Sequence, residues 1–194
     1  MDTEKIEWFL RGNWAPLSEE KELNDLKVDG SIPTELDGIY VRTGPNPKDG
    51  KGSHWFLGDG MVHGIRLKKG KAEWYRNRFV QTPDITEPLT DPMAGLGDLR
   101  RGKGNTHVVA HNEQIMCLEE AHWPWTINAD LETTGVLNYE GKLDCSMTAH
   151  PKVCPVTGEL LAFSYFSFEQ PYLKYIRVSA DGKLQQVEGI ELPE

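Results

Sequence analysis

The chain has 194 residues, with 21 Lys and Arg against 30 Asp and Glu, which gives a formal charge of −9 at pH 7. That balance argues against nucleic acid, because phosphate binding needs a clustered basic surface, and the densest basic cluster, Arg100-Arg101-Gly102-Lys103, is short and glycine-flanked. A hydrophobic content of 38% is too high for disorder, and no apolar run approaches the ~18–20 residues that span a bilayer, so only peripheral membrane contact is left open.

The first residues, Met1 to Lys5, are charged and lead into no apolar stretch, so no secretory signal is visible. The three cysteines, Cys117, Cys145 and Cys154, are odd in number and form no C-x-x-C pair. They are expected to be reduced thiols of a cytoplasmic protein. Along the chain, Thr3 to Leu10 predicts a short helix, and Ser18 to Leu26 a second with Ser18 as its N-cap. Met61 to Val80 reads as two strands around Lys68-Lys69-Gly70-Lys71. The stretch from Thr82 to Gly104 has no clear periodicity and predicts a long loop. Thr106 to Leu118 repeats the hairpin form around His111-Asn112-Glu113. Leu160 to Phe168 is rich in β-prone residues, and Tyr172 to Val187 predicts a further hairpin around Ala180-Asp181-Gly182-Lys183. Strands at this spacing, with 19 Gly and 12 Pro mostly between them, predict an all-β sandwich, barrel or propeller with little helix.

Six histidines are candidates for metal chemistry: His54, His63, His107, His111, His122 and His150. His107 and His111 are four apart, but Val108-Val109-Ala110 between them is strand-like and no Glu follows His107, so the pair reads as structural or exposed. Gly58-Asp59-Gly60, ahead of His63, predicts a sharp turn with a backbone conformation open mainly to glycine, and His63 is expected to pack or hydrogen-bond locally. His150 lies in Thr148-Ala149-His150-Pro151, where the proline biases it to an extended conformation. Glu119 and Glu120 follow an apolar strand and offer a carboxylate of the kind that sets the tautomer of a ligand histidine. Adjacent strand residues point to opposite faces, so only one of the two faces inward. On these residues alone, a solvated acidic turn is the more ordinary reading than a metal shell.

The combination nevertheless resembles a known family. Gly12-Asn13-Trp14-Ala15-Pro16, Ile32-Pro33 through Leu36-Asp37-Gly38, and Tyr40-Val41-Arg42-Thr43-Gly44-Pro45-Asn46-Pro47 are similar to the opening of the carotenoid cleavage oxygenases, which include lignostilbene dioxygenases. His54-Trp55-Phe56, Gly58-Asp59-Gly60-Met61-Val62-His63, Tyr75-Arg76-Asn77-Arg78, Asn105-Thr106, Glu120-Ala121 and Thr148-Ala149-His150-Pro151 follow in the family's order. The resemblance implies a seven-bladed β-propeller with iron, Fe(2+), on its axis, held by four histidines. It implies cleavage of a conjugated carbon–carbon double bond by O2 to give two carbonyl products. His150 matches the first iron ligand, and Glu120 matches a carboxylate that orients another iron-binding histidine.

The remaining three ligands lie further along in family members, and none of the other five histidines here matches one. Residues 1–194 are therefore expected to be the N-terminal portion of a single propeller domain, inactive alone. Stilbene-cleaving members typically carry lysine directly before the matched glutamate; Glu119 stands there and would repel a phenolate, which leans towards an apolar polyene or apocarotenoid over a stilbene-like substrate. His122-Trp123-Pro124-Trp125 is a candidate lining for an aromatic tunnel, although packing is the commoner fate of such tryptophans. Two other classes compete. One is a non-catalytic, truncated propeller acting as a binding or structural module. The other, a propeller glycosidase, has the least support, because no two carboxylates can be assigned facing positions.

Overall fold

The computed structural model describes residues 7–167 and 169–193. Twelve strands form three four-stranded antiparallel sheets in chain order. The first holds β1 (Glu22–Asn24), β2 (Asp37–Pro45), β3 (Gly60–Lys68) and β4 (Lys71–Phe79) in the order β1-β4-β3-β2. The second holds β5 (His107–His111), β6 (Gln114–Leu118), β7 (Trp125–Ile127) and β8 (Thr133–Val136) as a simple meander. The third, also a meander, holds β9 (Lys152–Val153), β10 (Leu160–Ser164), β11 (Leu173–Val178) and β12 (Leu184–Ile190). Successive four-stranded meanders are the unit from which propeller blades are built, and the chain is all-β with that partial-propeller architecture.

Turn chemistry sets the hairpin registers. Lys68 pairs with Lys71, and the two residues between them, Lys69 and Gly70, both have positive φ, 48° and 77°. His111 pairs with Gln114 around Asn112 and Glu113, at 45° and 62°. Two consecutive left-handed residues make the turn whose twist matches the flanking strands. At the Gly58-Asp59-Gly60 segment the expectation fails. Neither glycine has positive φ; instead a Cβ on Gly60 would lie 2.1 Å from the Lys103 carbonyl oxygen. The glycine is required by a close approach of backbone, not by a left-handed turn.

Ser18 to Leu26 forms no helix. A short isolated helix is marginal in water, whereas this segment has the open edge of β4 to fill. Glu22 pairs with Arg76 in the ladder and Leu23 with Tyr75, and Glu22 Oε2 lies 3.0 Å from Arg76 Nε. Buried Asn77 secures the approach: its Oδ1 accepts from Lys21 N–H at 2.7 Å and its Nδ2 donates to the Glu19 carbonyl at 3.0 Å. The predicted helix over Thr3 to Leu10 lies partly outside the described residues; Trp8–Leu10 is a single 3-10 turn. Between β4 and β5 the predicted long loop is ordered by short turns, including α1 (Pro83–Thr86). Lys103 Nζ bridges Asp59 at 3.0 Å and Asp84 at 2.9 Å, and Arg101 reaches Asp84 at 3.1 Å.

Two apolar clusters hold the sheets together. Met116 and Leu118 of β6 join Leu143, Met147, Leu160, Ile176 and Val178 on the side of the third sheet. Cys117, between them in sequence, joins Val62, Val80, Ile127 and Leu131 on the side of the first. Burial on both faces is why β6 reads as a continuous apolar run rather than an alternating one. No helix among the described residues is long and apolar enough to cross a membrane.

His63 sits half-buried on β3, its Nδ1 2.8 Å from the Tyr75 hydroxyl and its backbone opposite Arg42. Burial, with the Arg42 charge second, pushes its pKa down from 6.5 to about 4. The folded ring therefore resists a proton that the unfolded chain accepts, and stability is lost as pH falls from about 6.5 to about 4. Thermal melts across that window should decline more steeply in the wild type than in His63→Gln. Equal slopes would remove His63 as the cause.

Candidate functional site

The site is built where the end of β6 meets the turn that enters β9. Beyond Leu118, the side chains of Glu119 and Glu120 part company. Glu120 turns to the third sheet: its Oε2 accepts from the Thr148 hydroxyl at 2.9 Å and from Ala149 N–H at 3.0 Å. Its Oε1 lies 3.0 Å from His150 Nε2. Thr148 Oγ1 in turn accepts from His150 N–H at 3.1 Å. Ala149 is fully buried and Thr148 nearly so, whereas the His150 side chain is 64% exposed. A rigid root thus carries an open imidazole.

Burial alone would raise the Glu120 carboxyl, but hydrogen bonds from Tyr165, Ala149 and Thr148 outweigh it and hold the group below the usual carboxylate range. The Tyr165 phenol is pushed up to about 12 by burial and by its bond to Glu120. Tyr165 was not singled out from sequence, because it sits in an aromatic run that reads as strand packing. It lies one residue beyond the end of β10. Among the described residues the histidine beside this carboxylate is His150.

Glu119 faces elsewhere, accepting from His122 Nδ1–H and from Ala121 N–H at 3.0 Å. His122 borders two clefts, of about 710 and 690 Å³. The first is lined by Phe56, Leu57, Leu89 and Leu96 together with the charged Asp59, Asp84, Arg101, Lys103 and Glu119. The neighbouring tryptophans pack: Trp123 against the cluster of the third sheet and Trp125 against that of the first. His107 and His111 lie on one face of β5 and each reaches a backbone carbonyl of the third unit. His107 Nδ1–H donates to Ala149 at 2.7 Å, and His111 Nε2–H to Gly158 at 2.9 Å. His54 is absorbed locally, its Nδ1 accepting from Phe56 N–H at 3.2 Å.

An exposed imidazole on a fixed turn, backed by a carboxylate, has the donor chemistry of one corner of a histidine-held iron site. Among the described residues no group of three or more His, Cys, Asp and Glu is disposed to hold a metal ion. The fit is therefore to part of a ligand set.

A profile of the family described as retinal pigment epithelial membrane protein matches residues 14–194. The carotenoid cleavage oxygenase of Mycobacterium tuberculosis is 40% identical over 192 residues, covering 95% of this chain and 38% of that protein. The carotenoid 9,10(9',10')-cleavage dioxygenase 1 of Arabidopsis thaliana is 38% identical, over 96% of this chain and 41% of its own. Among solved structures, the lignostilbene dioxygenase of Pseudomonas brassicacearum superposes with a TM-score of 0.79 at 32% identity, covering 92% of this chain and 41% of that one. The chain spans about two fifths of the length of these relatives.

Thr148 is the joint of the site, donating to Glu120 and accepting from His150. Thr148→Val keeps the volume and removes both bonds, and should destabilise the fold by about 1–3 kcal/mol. Urea unfolding measures it, with Thr148→Ser expected to recover most of the loss. A Val variant as stable as the wild type would mean that the hydroxyl holds nothing.

Proposed function

The chain belongs to the retinal pigment epithelial membrane protein family, the carotenoid cleavage oxygenases, and from that premise we propose that it forms the N-terminal blades of a non-haem Fe(II) dioxygenase. The reaction is cleavage of a conjugated carbon–carbon double bond of a carotenoid, apocarotenoid or stilbene-like substrate by O2, giving two carbonyl products. Residues 1–194 are then part of one propeller domain, whose other ligands come from outside them. The observation that carries this reading is the exposed His150 imidazole on its buried turn, 3.0 Å from a carboxylate held in its charged form.

Iron, when bound, supplies the activation of O2 beside the double bond. The residues of this chain do the positioning. His150 offers one imidazole donor, Glu120 places a negative charge just outside it, and Thr148 fixes the distance between them. Phe56, Leu57, Leu89 and Leu96 give the larger cleft, which also holds charged groups, an apolar portion that suits a polyene, and Glu119, engaged with His122, disfavours a phenolate nearby. Three free cysteines, two of them buried, suit a reducing compartment and support a cytoplasmic location. A non-catalytic partial propeller is the second reading.

Metal analysis separates the two. The 194-residue chain should retain no stoichiometric iron after desalting, while the longer polypeptide should hold about one and lose it, with cleavage, in His150→Ala. One tightly held iron per 194-residue chain would sink the ligand assignment, and an iron-free longer polypeptide would favour the module. In the same longer polypeptide, Glu120→Gln should cost about 10–100-fold in iron affinity or turnover, and Glu119→Gln less. A larger effect at Glu119 would reverse their roles.

A further inference from the structure

The peptide that precedes His150 is held at both of its neighbour's polar groups by side chains from the adjacent sheet. Ala149 is fully buried, so neither its N–H nor its carbonyl can turn to water, and each needs a partner. Glu120 takes the N–H at 3.0 Å. His107 takes the carbonyl, its Nδ1–H donating at 2.7 Å. A carbonyl only accepts, so the bond also fixes the His107 tautomer with the proton on Nδ1. The His107 and His150 rings lie 6.0 Å apart at 31°.

We propose that His107 is a positioning residue for His150, clamping the Ala149 carbonyl so that the His150 imidazole presents itself in one direction. The inference rests on the reading of His150 as a metal ligand. Rotation of the Ala149–His150 peptide changes φ of His150 and so re-aims its side chain. On the far side Pro151 already restricts the backbone. Two constraints bound the residue: a proline after it and a clamped peptide before it. Without the His107 donor the carbonyl is left buried and unpaired, and the peptide keeps only the bond of the His150 N–H to the Thr148 hydroxyl, at 3.1 Å, so its carbonyl end can turn.

The fold contains its own control. His111 lies four residues along the same strand, on the same face, about 13 Å away at a strand rise of ~3.3 Å per residue. It makes the equivalent bond between the same two sheets, to Gly158 at 2.9 Å. That contact is remote from the His150 peptide. A purely structural role for His107 predicts that losing either histidine has the same consequences. A positioning role predicts that only His107 matters to the metal.

The test uses the longer polypeptide loaded with Co(II), reading affinity, the d–d absorption band and the melting temperature. His107→Phe removes the donor and should weaken Co(II) binding about tenfold or more, the scale of lost outer hydrogen bonds to a metal ligand, and should shift the band. His107→Asn places an amide N–H near the position of Nδ1 and should recover affinity to within about threefold of wild type. His111→Phe should lower the melting temperature by a similar amount yet leave affinity and band unchanged. Unaltered affinity and band in His107→Phe, or an equal loss in His111→Phe, overturns the proposal. A wild type that takes up no Co(II), or a His150→Ala variant that takes it up undiminished, overturns the ligand reading instead.

Discussion

Strand β6 is buried on both sides, and the arrangement of everything else depends on it. Met116 and Leu118 point into the cluster shared with the third sheet, while Cys117 points into the cluster shared with the first. Burying each such side chain contributes roughly 1.5–3 kcal/mol, and a strand that contributes to two cores cannot shift register without emptying both. The last fixed point of that strand, Leu118, is followed at once by Glu119 and Glu120. The site therefore starts from a strand fixed by two cores, and hydrogen bonds then hold the two carboxylates in place. The same packing shields the Cys117 thiol, whose pKa burial pushes up to about 12.

Around that frame several polar groups are paired across sheets. Glu120, His107 and His111 each extend from the second unit to backbone or side-chain groups of the third. Thr43 of β2 donates to the Gly104 carbonyl at 2.9 Å, and Asn105 donates to the Phe56 and Gly58 carbonyls, at 2.9 and 2.7 Å. Apolar contact sets how closely the sheets stack; these directed bonds set how they are turned relative to one another. A site assembled from two sheets needs the second kind of restraint as much as the first.

Much of this was legible in the sequence wherever structure is local. The hairpins at Lys69-Gly70 and Asn112-Glu113 are written in their turn residues, and the β11–β12 pair in Asp181-Gly182, because a two- to five-residue turn carries its own chemistry. What could not be read was decided at a distance. Ser18 to Leu26 carries a helical pattern and yields to the edge of β4. Asp37–Pro45, the strand beside β3, is rich in turn-forming residues and gives no periodic signal. Tyr165 and the acceptor bound by His107 depend on which loop is folded against which strand, and no spacing along the chain encodes that. At the site, the resemblance singled out Glu120 and His150, but their 3.0 Å approach is a property of the fold.

The first sheet differs from the other two in a way that bears on how the chain acquires its shape. In the second and third sheets every paired strand is a neighbour in sequence, so each can zip up soon after it emerges from the ribosome. The first cannot, because Glu22 and its partner Arg76 are separated by 54 residues. Synthesis at about 5–20 residues per second leaves the β1 segment waiting several seconds for its β4 partner. Closing so long a loop carries an entropic cost that local hairpins escape. The order of events is thus built into the topology: β2, β3 and β4 form first, and the earliest-made segment is the last to find its place in its own sheet. The acidic residues Glu19, Glu20 and Glu22 in and just before that strand keep it in solution while it waits and away from the exposed edges of other chains.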